Sequence, residues 1–165
     1  MSESTLKGAI AEAAITSHAI ELGIVVLRPL VEGRRYDLLF DVDHRLYRVQ
    51  CKWAPRRGNV VAVNLTSCRL TPHGYVRSTY SPAEIDATAA YRQELKRCYW
   101  LPIEQVAGKR AISLRLEPPA NNQEAAINFA ADHEFGAIAQ LGERRHGMAE
   151  AGGSSPPSST PRPLP

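Results

Sequence analysis

Arg35-Tyr-Asp-Leu-Leu-Phe-Asp41 is followed, after a short turn, by Arg45-Leu-Tyr-Arg-Val-Gln-Cys-Lys-Trp53. Both segments are typical of the strands of a β-hairpin. Side chains alternate between the two faces of a strand, so Gln50 and Lys52 share a face. Asp37 is expected on that same side. The opposite face is apolar and carries Tyr36, Leu38, Phe40, Val49, Cys51 and Trp53.

These three polar side chains are suited to the hydrolysis of a phosphodiester. A divalent cation helps such hydrolysis by withdrawing charge from phosphoryl oxygens and supplying hydroxide near neutral pH. Magnesium prefers oxygen ligands, commonly one or two carboxylates with water and substrate oxygens. Asp37 would be the central ligand, Gln50 would offer a neutral oxygen, and Lys52 would hold the attacking water. The alternative is a solvated hairpin face without a chemical role.

Residues 5–22 are predicted to form a helix that stops at Gly23. One stripe of this helix carries Leu6, Ile10, Ala13, Ser17 and Ile20, and a second carries Gly8, Glu12, Ile15 and Ala19. If the second stripe packs on the hairpin, Glu12 joins Asp37 at the metal, and Gly8 leaves room for a close backbone approach. The alternative is that Glu12 is a partly exposed helix residue.

Four segments in this order resemble the PD-(D/E)XK nuclease superfamily: Lys7-Gly8-x-x-x-Glu12, Gly23-Ile-Val-Val-x-x-Pro29, Arg35-Tyr-Asp37-Leu-Leu and Val49-Gln-Cys-Lys52-Trp. Within it, the sequence is most similar to homing endonucleases encoded by group I introns, which have Gln in place of the usual acidic residue of the last motif. The likeness covers roughly residues 5–133 and includes Ser81-Pro-Ala-Glu-Ile-Asp86, Cys98-Tyr-Trp-Leu-Pro102, Ile112-Ser-Leu-Arg115 and Asn121-Asn-Gln123.

This resemblance implies an α/β fold with a mixed central sheet flanked by helices, a dependence on Mg²⁺, and duplex DNA as the substrate. It also implies that Glu12, Asp37, Gln50 and Lys52 are the catalytic residues, with the first three as metal ligands. One position departs from the family pattern, since Tyr36 stands where Pro is usual. That position shapes the strand and takes no part in the chemistry.

The distribution of charge favours a polyanionic partner. The net charge is only +3, but between Arg28 and Arg77 ten residues are basic and four are acidic. Basic clusters bind phosphates without reading base sequence. An ordinary solvated surface rich in arginine is the alternative. The predicted DNA contacts are Arg34, Arg35, Trp53, Arg56, Arg57, Arg69 and Arg77.

The remaining composition argues against several other classes of protein. The 165 residues suit one domain with its own core. Three cysteines without C-x-x-C spacing indicate neither a zinc ribbon nor a disulfide framework, and the five histidines show no metal-ligand arrangement. We find no apolar run long enough to span a membrane and no signal peptide, so a cytoplasmic location is expected.

Other elements are predicted from local pattern. The chain from Val60 to Leu65 is expected to be a central strand, and residues 66–80 a polar excursion that faces DNA. Ser81-Pro82 followed by Glu84 has the form of a helix start. The remaining predictions are a strand pair around Gln93–Arg97, a strand over 112–116 and a closing helix over 122–133.

The domain predictions are an endonuclease domain over 1–135 and a Gly/Ser/Pro-rich tail without stable structure over 136–165. Two tail segments, Ala139-Gln-Leu-Gly-Glu-Arg-Arg145 and Gly153-Ser-Ser-Pro-Pro157, can be back-translated into the D-arm and T-arm of a tRNA gene. We therefore predict that the reading frame runs into such a gene, and an ordinary flexible tail is the alternative. Coding DNA unable to pair as a cloverleaf would exclude the read-through.

The function predicted from the sequence is site-specific cleavage of duplex DNA with Mg²⁺ by a homing endonuclease. One catalytic centre cuts one strand, so double-strand cleavage predicts a homo-oligomer, either a dimer or a tetramer. One alternative is a Holliday junction resolvase, in which a carboxylate stands where this chain has Gln50. The other is a DNA-binding module without activity, against which the presence of Glu12, Asp37 and Lys52 argues.

Overall fold

A computed structural model describes residues 1–31, 33–118 and 127–136 of the chain. No helix among these residues is long and apolar enough to cross a membrane. The elements in chain order are α1 (Glu3–Glu21), β1 (Val25–Leu27), β2 (Leu38–Val42), β3 (Arg45–Trp53), β4 (Arg56–Arg57), β5 (Val60–Asn64), β6 (Ser67–Thr71), β7 (Gly74–Ser78), β8 (Ala87–Arg92), β9 (Arg97–Pro102), α2 (Ile103–Val106), β10 (Ala111–Arg115) and a 3₁₀ turn (Ala130–His133).

The predicted N-terminal helix is confirmed, although α1 begins two residues earlier than expected. The Ser2 hydroxyl accepts a hydrogen bond from the backbone N–H of Thr5 at 3.2 Å, which satisfies one of the unpaired donors at the helix start. After the last turn, Gly23 has a φ of +78°. Glycine adopts this left-handed conformation without strain, and the chain can turn there into β1.

The buried face of α1 is the second of the two predicted stripes. Ile15 and Ala19 are fully buried, whereas Leu6 and Ile20 of the first stripe are 50% and 59% exposed. The prediction that Gly8 permits a close backbone approach is wrong, because a Cβ atom there would meet nothing within 4 Å. The helix therefore contacts the sheet along the stripe that carries Glu12.

The predicted hairpin is the centre of a mixed five-stranded sheet of order β1-β2-β3-β8-β9. Strands β2 and β3 are antiparallel, with Leu38 opposite Val49, and β3 runs parallel to β8. Asp43 and His44 form the turn of the hairpin, and both have the positive φ that two-residue hairpin turns favour. The predicted strand pair around residues 93–97 is confirmed as the antiparallel pair β8 and β9.

Two hydrophobic clusters cover the two faces of this sheet. On one face, Ile15 and Ala19 of α1 pack against Leu38, Phe40 and Val49. On the other, α2 and a smaller sheet of order β10-β5-β4 pack over β8 and β9. The architecture is therefore α/β, with a mixed sheet between helices as predicted. Because side chains alternate along β3, its polar residues face the second layer.

Some later segments differ in detail from the predictions. Strand β5 is central, but in the smaller sheet rather than beside the hairpin. The polar excursion over residues 66–80 contains a hairpin of its own, β6–β7. Ser81 and Glu84 do form the hydrogen bonds of a helix start. The chain nevertheless makes only one turn, because Ile85 is buried and β8 begins at Ala87.

The predicted closing helix is wrong in the part that the structure describes. Over residues 127–133, only Ala130–His133 is helical, and it is a 3₁₀ turn. The segment instead follows the strands: Asn128 accepts a hydrogen bond from the backbone of Arg115, and Phe135 donates to Cys98. The rest of the predicted helix, and the tail from residue 137 onward, lie outside the described residues.

An ion pair links the parallel strand β3 to the chain that leads into β8. The Asp86 carboxylate accepts hydrogen bonds from the backbone N–H of Arg48 at 2.8 Å and from its Nε at 2.9 Å. Burial by itself would raise the pKa of Asp86. The hydrogen bonds and the charge of Arg48 outweigh burial, and the pKa is lowered. The pair therefore stabilises the fold while the carboxylate is ionised.

Asp86→Asn is expected to lower the free energy of unfolding by about 1.5–3 kcal/mol at pH 7, the range for hydrogen bonds to charged groups. The pKa of Asp86 in the folded protein lies below its ordinary value of 3.8. The stabilisation is therefore fully present above pH 3.8 and is lost as the pH falls through the folded-state pKa. Urea denaturation at pH 7 and pH 3 measures the effect. Asp132→Asn, at an exposed carboxylate, is the control. If the loss of unfolding free energy in Asp86→Asn is as large at pH 3 as at pH 7, this role of Asp86 is contradicted.

Candidate active site

Asp37 lies directly before β2 and takes part in the pairing of the hairpin. Its backbone N–H donates to the carbonyl of Val49 at 2.9 Å. Its Oδ2 accepts the backbone N–H of Cys51 at 2.7 Å. Burial raises the pKa of Asp37, although that hydrogen bond and the nearby charge of Lys52 oppose the rise. The carboxylate is therefore fixed in position, and the protein offsets the cost of burying its negative charge only in part.

Gln50 contacts Asp37, as the alternation along β3 predicts. Its Nε2 donates to Oδ2 of Asp37 and also to the carbonyl of Cys51, the latter at 3.3 Å. An amide carries both donors and an acceptor oxygen. Rotation of the amide by half a turn would therefore present its oxygen to a cation held by Asp37.

Lys52 lies on the same face of β3 and is largely enclosed. Its Nζ donates to the carbonyl of Thr66 at 3.1 Å and lies 5.2 Å from the ring centroid of Tyr80, within the range of a cation–π contact. Burial lowers the pKa of Lys52, while the charge of Asp37 opposes that change. An ammonium group with a lowered pKa beside a carboxylate is suited to orient a water molecule and to exchange a proton.

Glu12 is half-buried on α1 and forms an ion pair with Arg28, which follows β1. The structure brings Glu12 and Asp37 to one pocket of about 360 Å³. The four predicted residues therefore converge, since Asp37 in turn contacts Gln50 and interacts with Lys52. The other residues that line the pocket are Arg28, Pro29, Val31, Gly33, Arg34 and Tyr36.

These residues fit a divalent cation of the magnesium type. Two carboxylates and an amide oxygen are ligands of the kind that Mg²⁺ takes, with water and substrate completing the set. Among the described residues, no group of three or more His, Cys, Asp and Glu side chains could hold a metal. A cation at this site would take the amide oxygen of Gln50 beside the carboxylates of Glu12 and Asp37. A cation there would also offset the burial that raises the pKa of Asp37.

Cys51 contributes only its backbone to the site. Its side chain is buried in the cluster beneath α1. Burial, followed by the charge of Asp37, raises the pKa of the Cys51 thiol well above the ordinary 9.0. The sulfur is therefore protonated, and it lies on the face of β3 opposite to Gln50 and Lys52.

The sequence did not indicate the roles of Arg28 and Tyr80. Tyr80 is 2% exposed, and its ring contacts both Lys52 and the guanidinium of Arg35, which lies 4.6 Å from the centroid. Burial raises the pKa of Tyr80 to about 12. Both contacts join residues distant in sequence, so no local pattern predicts them. The single signal for Arg28 is a charge that interrupts the apolar segment after Gly23.

Most of the residues predicted to contact DNA are accessible. Their roles remain predictions, since nothing in the structure tests them. The side chain of Arg69 lies outside the described part of the chain. The exposed members of the set are Arg34, Arg56, Arg57 and Arg77.

Arg35 and Trp53, also predicted to contact DNA, are half-buried and engaged with the protein. Arg35 forms an ion pair with Glu84 at 2.9 Å and donates to the carbonyl of Thr79 at 2.9 Å. Trp53 packs edge-on against Tyr91, with ring centroids 6.1 Å apart. These contacts give both side chains a part in the packing around the site.

One solved structure with a similar fold is that of a bacterial homing endonuclease, I-Ssp6803I. The two chains are 24% identical and superpose with a TM-score of 0.69 over 90% of this chain and 99% of the other. No curated protein sequence shows a significant match. The likeness confirms the predicted fold, a mixed sheet with α1 on one face.

A family model described as PD-(D/E)XK endonuclease matches residues 2–136. This range includes α1, all the strands and the four predicted site residues, of which Glu12 and Asp37 line the pocket. It also agrees with the resemblance found in the order of the sequence motifs. The chain therefore belongs to the PD-(D/E)XK endonuclease family.

Proposed function

We propose that this nuclease is a Mg²⁺-dependent enzyme that cuts duplex DNA at a specific site, and that it is an intron-associated homing endonuclease. The observation that carries the proposal is the contact of Gln50 with the Asp37 carboxylate, on the face of β3 that also holds Lys52. Membership of an endonuclease family supports phosphodiester hydrolysis. The similar fold of a bacterial homing endonuclease supports the homing type.

Nucleases of this family generally use divalent metal ions. In this chain Glu12, Asp37 and Gln50 would hold the ion. When bound, a divalent cation withdraws charge from the phosphoryl oxygens and lowers the pKa of a water molecule. A preference for Mg²⁺ is supported by carboxylate and amide ligands without a histidine or thiolate among them.

Lys52 is proposed to position the attacking water beside the scissile phosphate. Its ammonium group is held between the Thr66 carbonyl and the Tyr80 ring, so little freedom is left to its long side chain. Pre-ordering of this kind lowers the entropic cost of reaching the reactive geometry. The positive charge would favour the ionised form of the water.

Arg28 is proposed to balance the charge of Glu12 before DNA binds. Because Glu12 is also a proposed metal ligand, the ion pair has to open when Glu12 takes up that role. The Arg28 side chain is 63% exposed and could then contact a phosphate oxygen of the substrate. Guanidinium groups suit phosphate because two parallel N–H donors match two oxygens.

The proposed substrate is a DNA duplex bound by the exposed arginines near the pocket. Arg34 lines the pocket itself, and Arg56 and Arg57 lie on the short strand β4 that follows β3.

Cleavage of both strands would require two copies of the site, so a homo-oligomer with closed symmetry is proposed. Val25, Leu27 and Leu46 are exposed on β1 and β3 and offer apolar surface for such an interface.

Asp37→Ala is expected to abolish cleavage while DNA binding persists or strengthens, because a carboxylate repels phosphates when no cation is bound. Lys52→Ala is expected to slow cleavage by about 10²–10⁴-fold, the usual contribution of a group that moves or orients a proton. The measurement is cleavage of supercoiled DNA that carries the intronless insertion site, with Mg²⁺ or with EDTA. The flanking DNA of the gene identifies that insertion site.

The control for this pair is Glu104→Ala, at an exposed carboxylate of α2. Circular dichroism melting should show that all three variants remain folded. If the Asp37→Ala protein cuts DNA as fast as the parent, the assignment of the site is wrong. If the parent cuts DNA in EDTA, cleavage does not require a metal ion.

Gln50→Glu is expected to lower activity, because a further carboxylate beside Asp37 and Glu12 would raise their pKa values and change the preference for metal. Single-turnover rates with Mg²⁺ and with Mn²⁺ measure the effect. Gln93→Glu, in the exposed turn after β8, makes the same charge change away from the pocket. Equal or higher activity of Gln50→Glu would mean that Gln50 simply replaces an acidic ligand.

A comparison of cleavage of four-way junctions with cleavage of linear duplex of matched sequence distinguishes a junction resolvase from an enzyme that acts on duplex DNA.

Arg28→Gln is expected to bind Mg²⁺ about fivefold more tightly in the absence of DNA, because Glu12 loses a competing partner. Isothermal titration calorimetry measures this affinity without any dependence on cleavage. Arg34→Gln removes a charge from the same pocket without breaking the pair with Glu12, and is the matched control. Equal effects of both variants would show that only the general positive field weakens metal binding.

A further inference from the structure

A second polar groove, with a volume of about 540 Å³, lies where the end of β5, the hairpin β6–β7 and the start of β10 meet. Two of its lining residues are arginines and none is acidic. The groove therefore has a net positive charge. Its lining residues are Asn64, Thr66, Arg77, Ser78, Thr79 and Arg110.

The groove presents hydrogen-bond donors rather than acceptors. Arg77 and Arg110 are exposed, and within the described residues neither guanidinium forms an ion pair. The Asn64 Oδ1 accepts hydrogen bonds from the N–H of Thr66 at 2.9 Å and from its hydroxyl at 2.8 Å. The amide oxygen of Asn64 is thus used within the protein, which leaves its NH₂ group as the donor. Guanidinium and amide donors together suit the oxygens of a phosphate.

Two residues that line the groove form hydrogen bonds with Lys52 and with Arg35. The carbonyl of Thr66 accepts the ammonium of Lys52 at 3.1 Å, and the carbonyl of Thr79 accepts the guanidinium of Arg35 at 2.9 Å. The groove therefore adjoins the cationic groups of Lys52 and Arg35.

Arg77 projects from a strand, and Arg110 lies directly before one. The carbonyl of Arg110 accepts the backbone N–H of Leu65 at 2.9 Å, immediately before β10 begins. Arg77 lies in β7 opposite Cys68 of β6. Side chains on paired strands are better positioned than side chains on free loops.

We propose that this groove binds the sugar–phosphate backbone of the substrate DNA next to the cleaved bond, with Arg110 and Arg77 as its phosphate ligands. The inference rests on the proposed endonuclease function and adds Arg110 and Asn64 to the binding surface. A single free phosphate would find two exposed guanidinium groups and gain little from them. A polyanionic strand gains from both at once and from the adjoining basic site, with release of counterions.

The test is the salt dependence of DNA binding by Arg110→Gln, Arg77→Gln and the double variant. Fluorescence anisotropy with a 30-base-pair duplex in EDTA, from 50 to 200 mM salt, gives the affinity and its slope against salt. Each single variant is expected to bind about fivefold more weakly. Each should also reduce the slope by about one, as for one lost phosphate contact.

Lys109→Gln is the matched control, because it removes the same charge one residue away and lines a different cavity. It should leave the slope unchanged. Slopes of Arg110→Gln and Arg77→Gln equal to that of the parent, in folded proteins, would overturn the proposal. The proposal would also be overturned if Lys109→Gln reduced the salt slope as much as the two arginine variants do. The loss of any positive charge would then explain the result. Binding of inorganic phosphate that both arginine variants abolish, with unchanged DNA slopes, would also overturn the proposal and assign the groove to a small anion.

Cleavage under single-turnover conditions, over a range of protein concentrations, separates this proposal from the function on which it rests. The Lys109→Gln control should keep the parental rate throughout. Arg110→Gln and Arg77→Gln should need about fivefold more protein to reach half of their maximal rate, because the groove holds DNA. A half-maximal concentration equal to that of the parent, in a folded Arg110→Gln protein, would contradict the proposal. If the parent protein itself does not cut DNA, the proposed function fails, whatever the slopes are.

Discussion

The hydrogen bonds between Asp37 and β3 are the interaction on which the rest of the site depends. The backbone of Asp37 donates to Val49, and its carboxylate accepts the N–H of Cys51, so the hairpin begins at the proposed metal ligand itself. The position of this carboxylate is set by the register of paired strands. Alternation along β3 then puts Gln50 and Lys52 on the same side. Fold and site share these bonds.

The hairpin could be predicted because its evidence is local. Alternation of period two identified both strands and the side that carries Asp37, Gln50 and Lys52. Four of the six residues predicted for the opposite side are buried, namely Leu38, Phe40, Val49 and Cys51. Trp53 is half-buried, and Tyr36 instead packs against the cluster on the other face, because it precedes the first residue of β2. The helix was predicted from its own pattern and its Gly23 stop, but periodicity alone did not decide which stripe is buried. Leu6 and Ile20 are larger than Ala19 of the buried stripe, yet they lie exposed. Helix-to-sheet contact is a tertiary property.

The remainder of the site depends on contacts between distant segments. Thr66 and Tyr80 enclose Lys52 only because the chain returns over the sheet after β5. No residue of β7 is buried, so the alternation of that strand gives little hydrophobic signal. The Ser81 and Glu84 hydrogen bonds formed as expected, but burial of Ile85 and pairing of the following residues prevailed over a longer helix. Local capping preferences are weaker than the burial of a strand.

Cys51 places its amide in the site and its sulfur in the core, and this division affects how the protein tolerates an oxidising or metal-rich environment. Oxidation of cysteine proceeds through the thiolate, and burial keeps this thiol protonated. Soft cations such as Cu⁺ or Zn²⁺ bind thiolate strongly, but the sulfur lies on the other face of the strand. The backbone of a cysteine can therefore support the site without exposing it to peroxide damage or to capture by a thiophilic metal.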